Sequence, residues 1–164
     1  WILSEFDDVM GRVQEAWSKI DIYTAAQSLK GFGTGVFPSH WLEMSKSRLY
    51  DGDASAAWTL HRVVRDLLSA LSPICPFFSH YLSTTLYESS AVDVRSFPRL
   101  PAGVVGEDAD AMRALTPIIS EFNSAVWKSK KDSGISLKSP ISGIDVPSEL
   151  STLEDSLVRM HSIE

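Results

Sequence analysis

The chain has 164 residues, of which 44% are apolar and 22% charged, and a formal net charge of −6 at pH 7. That is one domain, with room at most for a small appendage, and a composition able to fold around a core. The negative balance excludes a global attraction to nucleic acid, so any nucleic-acid contact has to be a local patch.

Cys75 is the only cysteine. An internal disulfide or thiolate metal cluster is excluded, and a reducing, cytoplasmic setting is expected. His40, His61, His80 and His161 each lack a second histidine three or four places on, so no metal is expected. No apolar run approaches the roughly 20 residues of a membrane span, and no signal peptide opens the chain. The sequence starts at Trp1, without Met, inside a helical pattern, which predicts a piece of a longer protein.

From Trp1 to Ile20 the apolar residues Phe6, Met10, Val13, Trp17 and Ile20 fall at steps of four and three, predicting one face of an amphipathic helix. Asp21 is a candidate cap for a second helix over at least Tyr23 to Leu29. The stretch Tyr23 to Tyr50 is expected to be mainly helical, with a bend or break between Gly31 and Pro38. Ala54 to Leu71 reads as a helix with Leu60, Val64, Leu67 and Leu71 inward and Arg62, Arg65 and Asp66 outward. Pro76 suits the first turn of the next helix, to about Tyr87, with Phe78, Tyr81, Leu82 and Leu86 inward. Ser89 to Gly106 is a loop by composition, with a short extended piece at Val92–Val94. A helix follows over about Asp108 to Lys131, with Met112, Leu115, Ile119, Phe122 and Val126 as its stripe; Pro117 kinks it or marks its start. "ISLKSPISGIDVP" alternates weakly and predicts one or two short strands, and a last helix covers Leu150 to His161. The predicted fold is mainly α: an antiparallel helical bundle, then a small irregular α(+β) region.

Two short motifs invite a nucleotide-binding reading. "GFGTG", Gly31 to Gly35, follows a helical pattern instead of a strand and lacks the spacing of a phosphate-binding G-x-G-x-x-G. "EMSKS", Glu43 to Ser47, is one letter from the K-M-S-K-S loop of class I aminoacyl-tRNA synthetases. Glu43 replaces the first lysine of that loop, however, and a carboxylate repels phosphates. No H-I-G-H partner is present, and Phe37, Trp41, Met44 and Arg48 share a helical face. No catalytic residue is expected.

Taken whole, "WLEMSKSRLYDGD" resembles the W-Y-[IL]-E-L-x-K-x-R-L-Y signature of the anticodon-binding helical domain shared by valyl, isoleucyl and leucyl synthetases. Trp41, Leu42, Glu43, Lys46, Arg48, Leu49 and Tyr50 fall on the matching positions. "WILSEF", "IDIYTAAQSL", "LSPICPFFSHYLSTTLY" and "SFP" resemble further landmarks of that family in the same order. "SAVWKSKKDSGISLKSPI" is similar to a helix end in archaeal-type valyl enzymes, which favours valine over isoleucine or leucine. The sequence departs from the family at Gly31, Gly33, Gly35 and Phe97, where relatives carry bulkier aromatic residues. The family's earlier helix, R-x-x-x-N-K-L-W-N, is absent from the 164 residues.

The resemblance implies residues 1–98 as the anticodon-binding bundle without its first helix, and 99–164 as a C-terminal helix with a small α/β appendage. It implies binding of a tRNA anticodon stem-loop, positioning the tRNA for aminoacylation by a valine–tRNA ligase. The partners are then tRNA and the rest of the synthetase chain, with no membrane and no metal. No cofactor is expected in this stretch; ATP belongs to the parent enzyme. Unstacked loop bases are read by aromatic stacking and hydrogen bonding, with basic groups on phosphates. The candidate tRNA-binding residues are therefore His40, Trp41, Lys46, Arg48, Lys128, Lys130 and Lys131, with Tyr50 and Lys138 nearby. The alternatives are the equivalent isoleucyl or leucyl domain, and a free-standing helical interaction module, which needs an apolar groove.

Overall fold

The structure, a computed structural model, describes residues 1–87 and 97–164. It consists of α1 (Ile2–Ser18), α2 (Ile22–Gly31), a π-helix (Phe32–Leu42), α3 (Glu43–Tyr50), α4 (Ala54–Leu71), α5 (Pro76–Tyr87), α6 (Ala109–Asp132), a 3-10 helix (Ser148–Leu153) and α7 (Glu154–His161). Among the described residues there is no β-strand. The segment expected to hold short strands makes one isolated parallel bridge, Ile141 with Ile163. The extended piece expected at Val92–Val94 lies outside the described residues.

α1 ends where Ile20 turns left-handed, with φ +57°, and the Asp21 amide reaches back to the Ala16 carbonyl. Asp21 then caps α2 by accepting from the Thr24 amide at 3.0 Å, as its short acceptor side chain allows. The short turn makes α1 and α2 antiparallel neighbours. Asp53 caps α4 in the same way, accepting from the Ser55 and Ala56 amides.

The stretch Ile22 to Tyr50 is helical, as expected, and of the expected bend or break there is no break; from Phe32 to Leu42 the turns widen to the i→i+5 pattern. The buried aromatics explain why. Phe32, Phe37 and Trp41 are spaced five and four apart, and a widened turn brings residues five apart onto one face. Their rings stack in sequence at 5.6 and 5.2 Å, and Phe6 of α1 joins at 5.3 Å from Phe32. Three glycines and Pro38 lower the competing α propensity, and the Thr34 hydroxyl donates to the Lys30 carbonyl at 2.8 Å.

One apolar core joins α1, α2, the π-helix and α4 around Phe6, Val13, Leu29, Phe32, Phe37, Trp41 and Val63. A second joins Met44 of α3 with Ile119, Phe122 and Val126 of α6 and with Leu150 and Leu157. Trp1 packs against both, and its indole N–H donates to Thr116 of α6 at 2.7 Å. Pro117 sits inside α6, which runs through it.

Two faces differ from expectation. In α5 the buried residues are Ser79 and Ser83, while Phe77, Phe78, Tyr81 and Leu86 are exposed. In α4, Asp66 is buried and not outward; Arg62 donates to it at 2.7 Å, and burial raises its pKa against that pairing.

Candidate nucleic-acid interface

The candidate residues separate by place. Trp41 is in the first core, stacked on Phe37, and presents no free ring face for a base. On α3, Lys46 and Arg48 are two residues apart and face different ways. Arg48 donates through Nε and Nη2 to one carboxylate oxygen of Asp53 at 2.8 Å, so it steadies the carboxylate that caps α4. Lys46 stands on the other side, donating to both Glu43 oxygens at 2.6 Å. Tyr50, one turn beyond Lys46, is 86% exposed and is the free aromatic of that face.

Glu43 opens a groove of about 380 Å³ lined also by Trp127, Leu137, Lys138, Met160 and Ser162. The groove lies between α3, α6, the turn after α6 and the end of α7. Trp127 is its aromatic wall, half-buried, with the His40 ring nearly parallel at 6.0 Å. Lys131 follows Trp127 by one turn on the same side of α6, and Lys128 is next to it. Lys128, Lys131 and Lys138 are exposed, and none forms an ion pair among the described residues. Neither Trp127 nor the groove stood out in the sequence, although Trp127 directly follows the last stripe residue of α6, Val126, and an aromatic beside the stripe is a boundary signal.

Lys130 is different, and its inclusion with the RNA-facing lysines is corrected by its surroundings. It is fully buried. Its ammonium donates to the carbonyls of Leu137 at 2.9 Å, Ser139 at 2.7 Å and His161 at 2.6 Å. Those bonds use all three of its protons. No carboxylate is among these partners, and burial lowers its pKa.

His40 belongs to the same interior network. Asn123 donates through Nδ2 to His40 Nδ1 at 2.9 Å and accepts from His161 Nε2 at 2.7 Å. That pattern sets the His161 proton on Nε2 and leaves its buried Nδ1 without a partner among the described residues. Burial, with Lys130 adding to it, lowers the His161 pKa to about 4; burial lowers that of His40 as well. Both rings are neutral at pH 7, so His40 acts as a neutral wall behind Trp127.

The arrangement can attract phosphates with three lysines that are in no ion pair among the described residues, and can stack on Trp127 or Tyr50. It carries no group of three histidine, cysteine or acidic side chains able to hold a metal among the described residues. Among them too, no helix is long and apolar enough to cross a membrane.

Comparison with known proteins gives the family of the chain. The valine–tRNA ligase of Nanoarchaeum equitans is 30% identical over 168 residues, covering all of this chain and 21% of that protein. The one from Aeropyrum pernix is 29% identical across 94% of this chain and 20% of its own length. That of Pyrobaculum aerophilum is 30% identical across 91% of this chain and 19% of its length. The chain thus spans about a fifth of these relatives. The family of the anticodon-binding domain of tRNA ligase matches residues 1–145. With most of its length inside that match, the chain belongs to the anticodon-binding domain family of tRNA ligases, and it resembles the archaeal valine-specific members.

Proposed function

We propose that this domain binds a tRNA anticodon stem-loop on the face around the Trp127 groove. The full protein would be a valine–tRNA ligase, with ATP used in a catalytic part outside these residues. The rest of the synthetase chain is the second partner, and the cytoplasm the setting. The division at residue 98, with the helical bundle before it and an appendage after, belongs to the same proposal.

The observation that carries the reading is the placing of Lys128, Lys131 and Lys138, exposed and in no ion pair among the described residues, beside a groove with an indole wall. A chain of net charge −6 gains nothing from its overall field, so a local unpaired cluster is what RNA affinity requires. An apolar groove also exists, lined by Leu29, Phe37, Leu67, Leu71 and Phe78 among others. It is the feature an interaction module needs, but the family match supports the RNA reading over that alternative.

The test is fluorescence anisotropy of a labelled valine tRNA anticodon stem-loop with the 164-residue chain at several salt concentrations. Micromolar or weaker binding is expected, with log K falling linearly against log salt. Each phosphate contact contributes about 0.7 to 0.9 to the slope. Binding without salt dependence, or none, would overturn the reading. In ATP–pyrophosphate exchange with valine, the chain alone should stay at background.

A further inference from the structure

Lys130 is the one lysine of the cluster that points inward. The turn after α6 is tied down at its two ends by backbone bonds. At the start, Gly134, at φ +68°, closes α6, and the Ile135 amide donates to the Lys130 carbonyl at 3.0 Å. At the far end, the Ile141 amide donates to the Ser162 carbonyl, and the Glu164 amide to the Ile141 carbonyl, both at 3.0 Å. Between those anchors the turn bonds to itself, through Ser136 to the amides of Lys138 and Ser139. Its hydrogen bonds to the body of the domain, among the described residues, come from Lys130. The two turn carbonyls that Lys130 holds, Leu137 and Ser139, flank Lys138 on either side.

We propose that Lys130 is a positioning residue for RNA binding: by fixing the carbonyls on both sides of Lys138, it holds the Lys138 ammonium at the rim of the Trp127 groove to receive a backbone phosphate. This rests on the RNA reading above. The buried ammonium works as an internal cation. It satisfies two exposed-turn carbonyls and the last carbonyl of α7 at once, and so couples the turn to the end of α7. A turn left to its own two bonds would let Lys138 sample many positions, and a phosphate contact would then have to order it at the moment of binding.

The first measurement uses the unaltered chain. Amine acetylation with an N-hydroxysuccinimide ester, read by mass spectrometry with and without stem-loop RNA, should label Lys128, Lys131 and Lys138. RNA should protect Lys138, while Lys130 stays unlabelled in both states. Labelling of Lys130 as fast as Lys128, or protection of Lys130 by RNA, would overturn the proposal. The second compares salt slopes for Lys138→Ala, Lys130→Met and the double variant. Lys138→Ala should lower the slope by about 0.7 to 0.9, one phosphate contact. Lys130→Met should lower it by the same amount, and the double variant by no more than either alone. A double variant that loses two contacts' worth of slope would make Lys130 a direct ligand and sink the positioning role. Should Lys130→Met fail to fold, the acetylation pattern of the unaltered chain decides. If the unaltered chain shows no salt-dependent binding at all, the RNA reading falls and takes the positioning role with it, while the acetylation result still reports whether Lys130 is enclosed.

Discussion

Ile20 occupies the left-handed backbone region at φ +57° and is 81% exposed. A β-branched residue is strained there and gains no burial in return, so the position suits glycine. Ile20→Gly should raise stability by about 1 kcal/mol, the left-handed penalty less the extra freedom of glycine in the unfolded chain. Urea unfolding with an unchanged m-value checks this, and a fall in midpoint would show that the side chain has a partner. Gly31 is the reverse case. Its backbone is right-handed helical, at φ −56° and ψ −45°, and a Cβ there would meet nothing within 4 Å. Gly31→Ala should add about 0.5 to 1 kcal/mol. Destabilisation instead would mean that the junction with the π-helix needs the slack of glycine. Periodicity counted Ile20 into the stripe of α1 because spacing carries no information about where a helix stops. Trp41 and Tyr50 show the same limit in the other direction: both sit on a signature helix, and only packing decides that one is core and the other is bare.

On the scale of elements, the helices of the chain were legible because apolar residues recur at threes and fours, and α4 and α5 have the bounds that their caps and prolines predict. The faces were less legible. α5 carries its large apolar residues outward and buries two serines, a pattern that hydropathy alone inverts. The π-helix was hidden since glycine and proline report only weak α propensity, while the wider register answers to aromatic spacing. Within α3 the signature places Lys46 and Arg48 in one motif, yet the helix turns them to different sides. They should therefore behave differently. Lys46→Ala is expected to lower the salt slope of stem-loop binding by up to about 0.7 to 0.9 and to leave the melting temperature nearly unchanged. Arg48→Ala should leave the slope alone and lower the melting temperature, because Asp53 loses the guanidinium that orients it over the α4 amides. Equal slope changes in the two variants would place both side chains on the RNA and contradict the division.

On the scale of the whole molecule, the polar line from His40 through Asn123 to His161, with Lys130 beneath, joins the π-helix, α6 and α7 through the interior. Sequence could not reveal it, because its members are far apart along the chain and each looks ordinary alone. It makes the fold sensitive to mild acid. The folded pKa of His161 is lowered from 6.5 to about 4, so between those values the unfolded chain takes up a proton that the folded chain refuses. Stability from this group is fully present above about pH 6.5 and is lost as pH falls toward 4. At about 1.4 kcal/mol per pH unit the loss is on the order of 3 kcal/mol for so buried a ring. His40, lowered by burial, acts in the same direction. Asp53 is held below its usual range by Arg48 and by the helix amides, so its own loss comes only below about pH 3.8. Asp66, raised by burial, opposes the trend slightly. His161→Gln keeps a donor for Asn123 and removes the titration, so the difference between the two proteins isolates His161 from every carboxylate. Urea unfolding from pH 7.5 to 4.5 should show the unaltered chain losing clearly more stability than His161→Gln. Parallel curves would mean that water reaches the ring, and that the interior line from the π-helix to α7 is wetter than its hydrogen bonds imply.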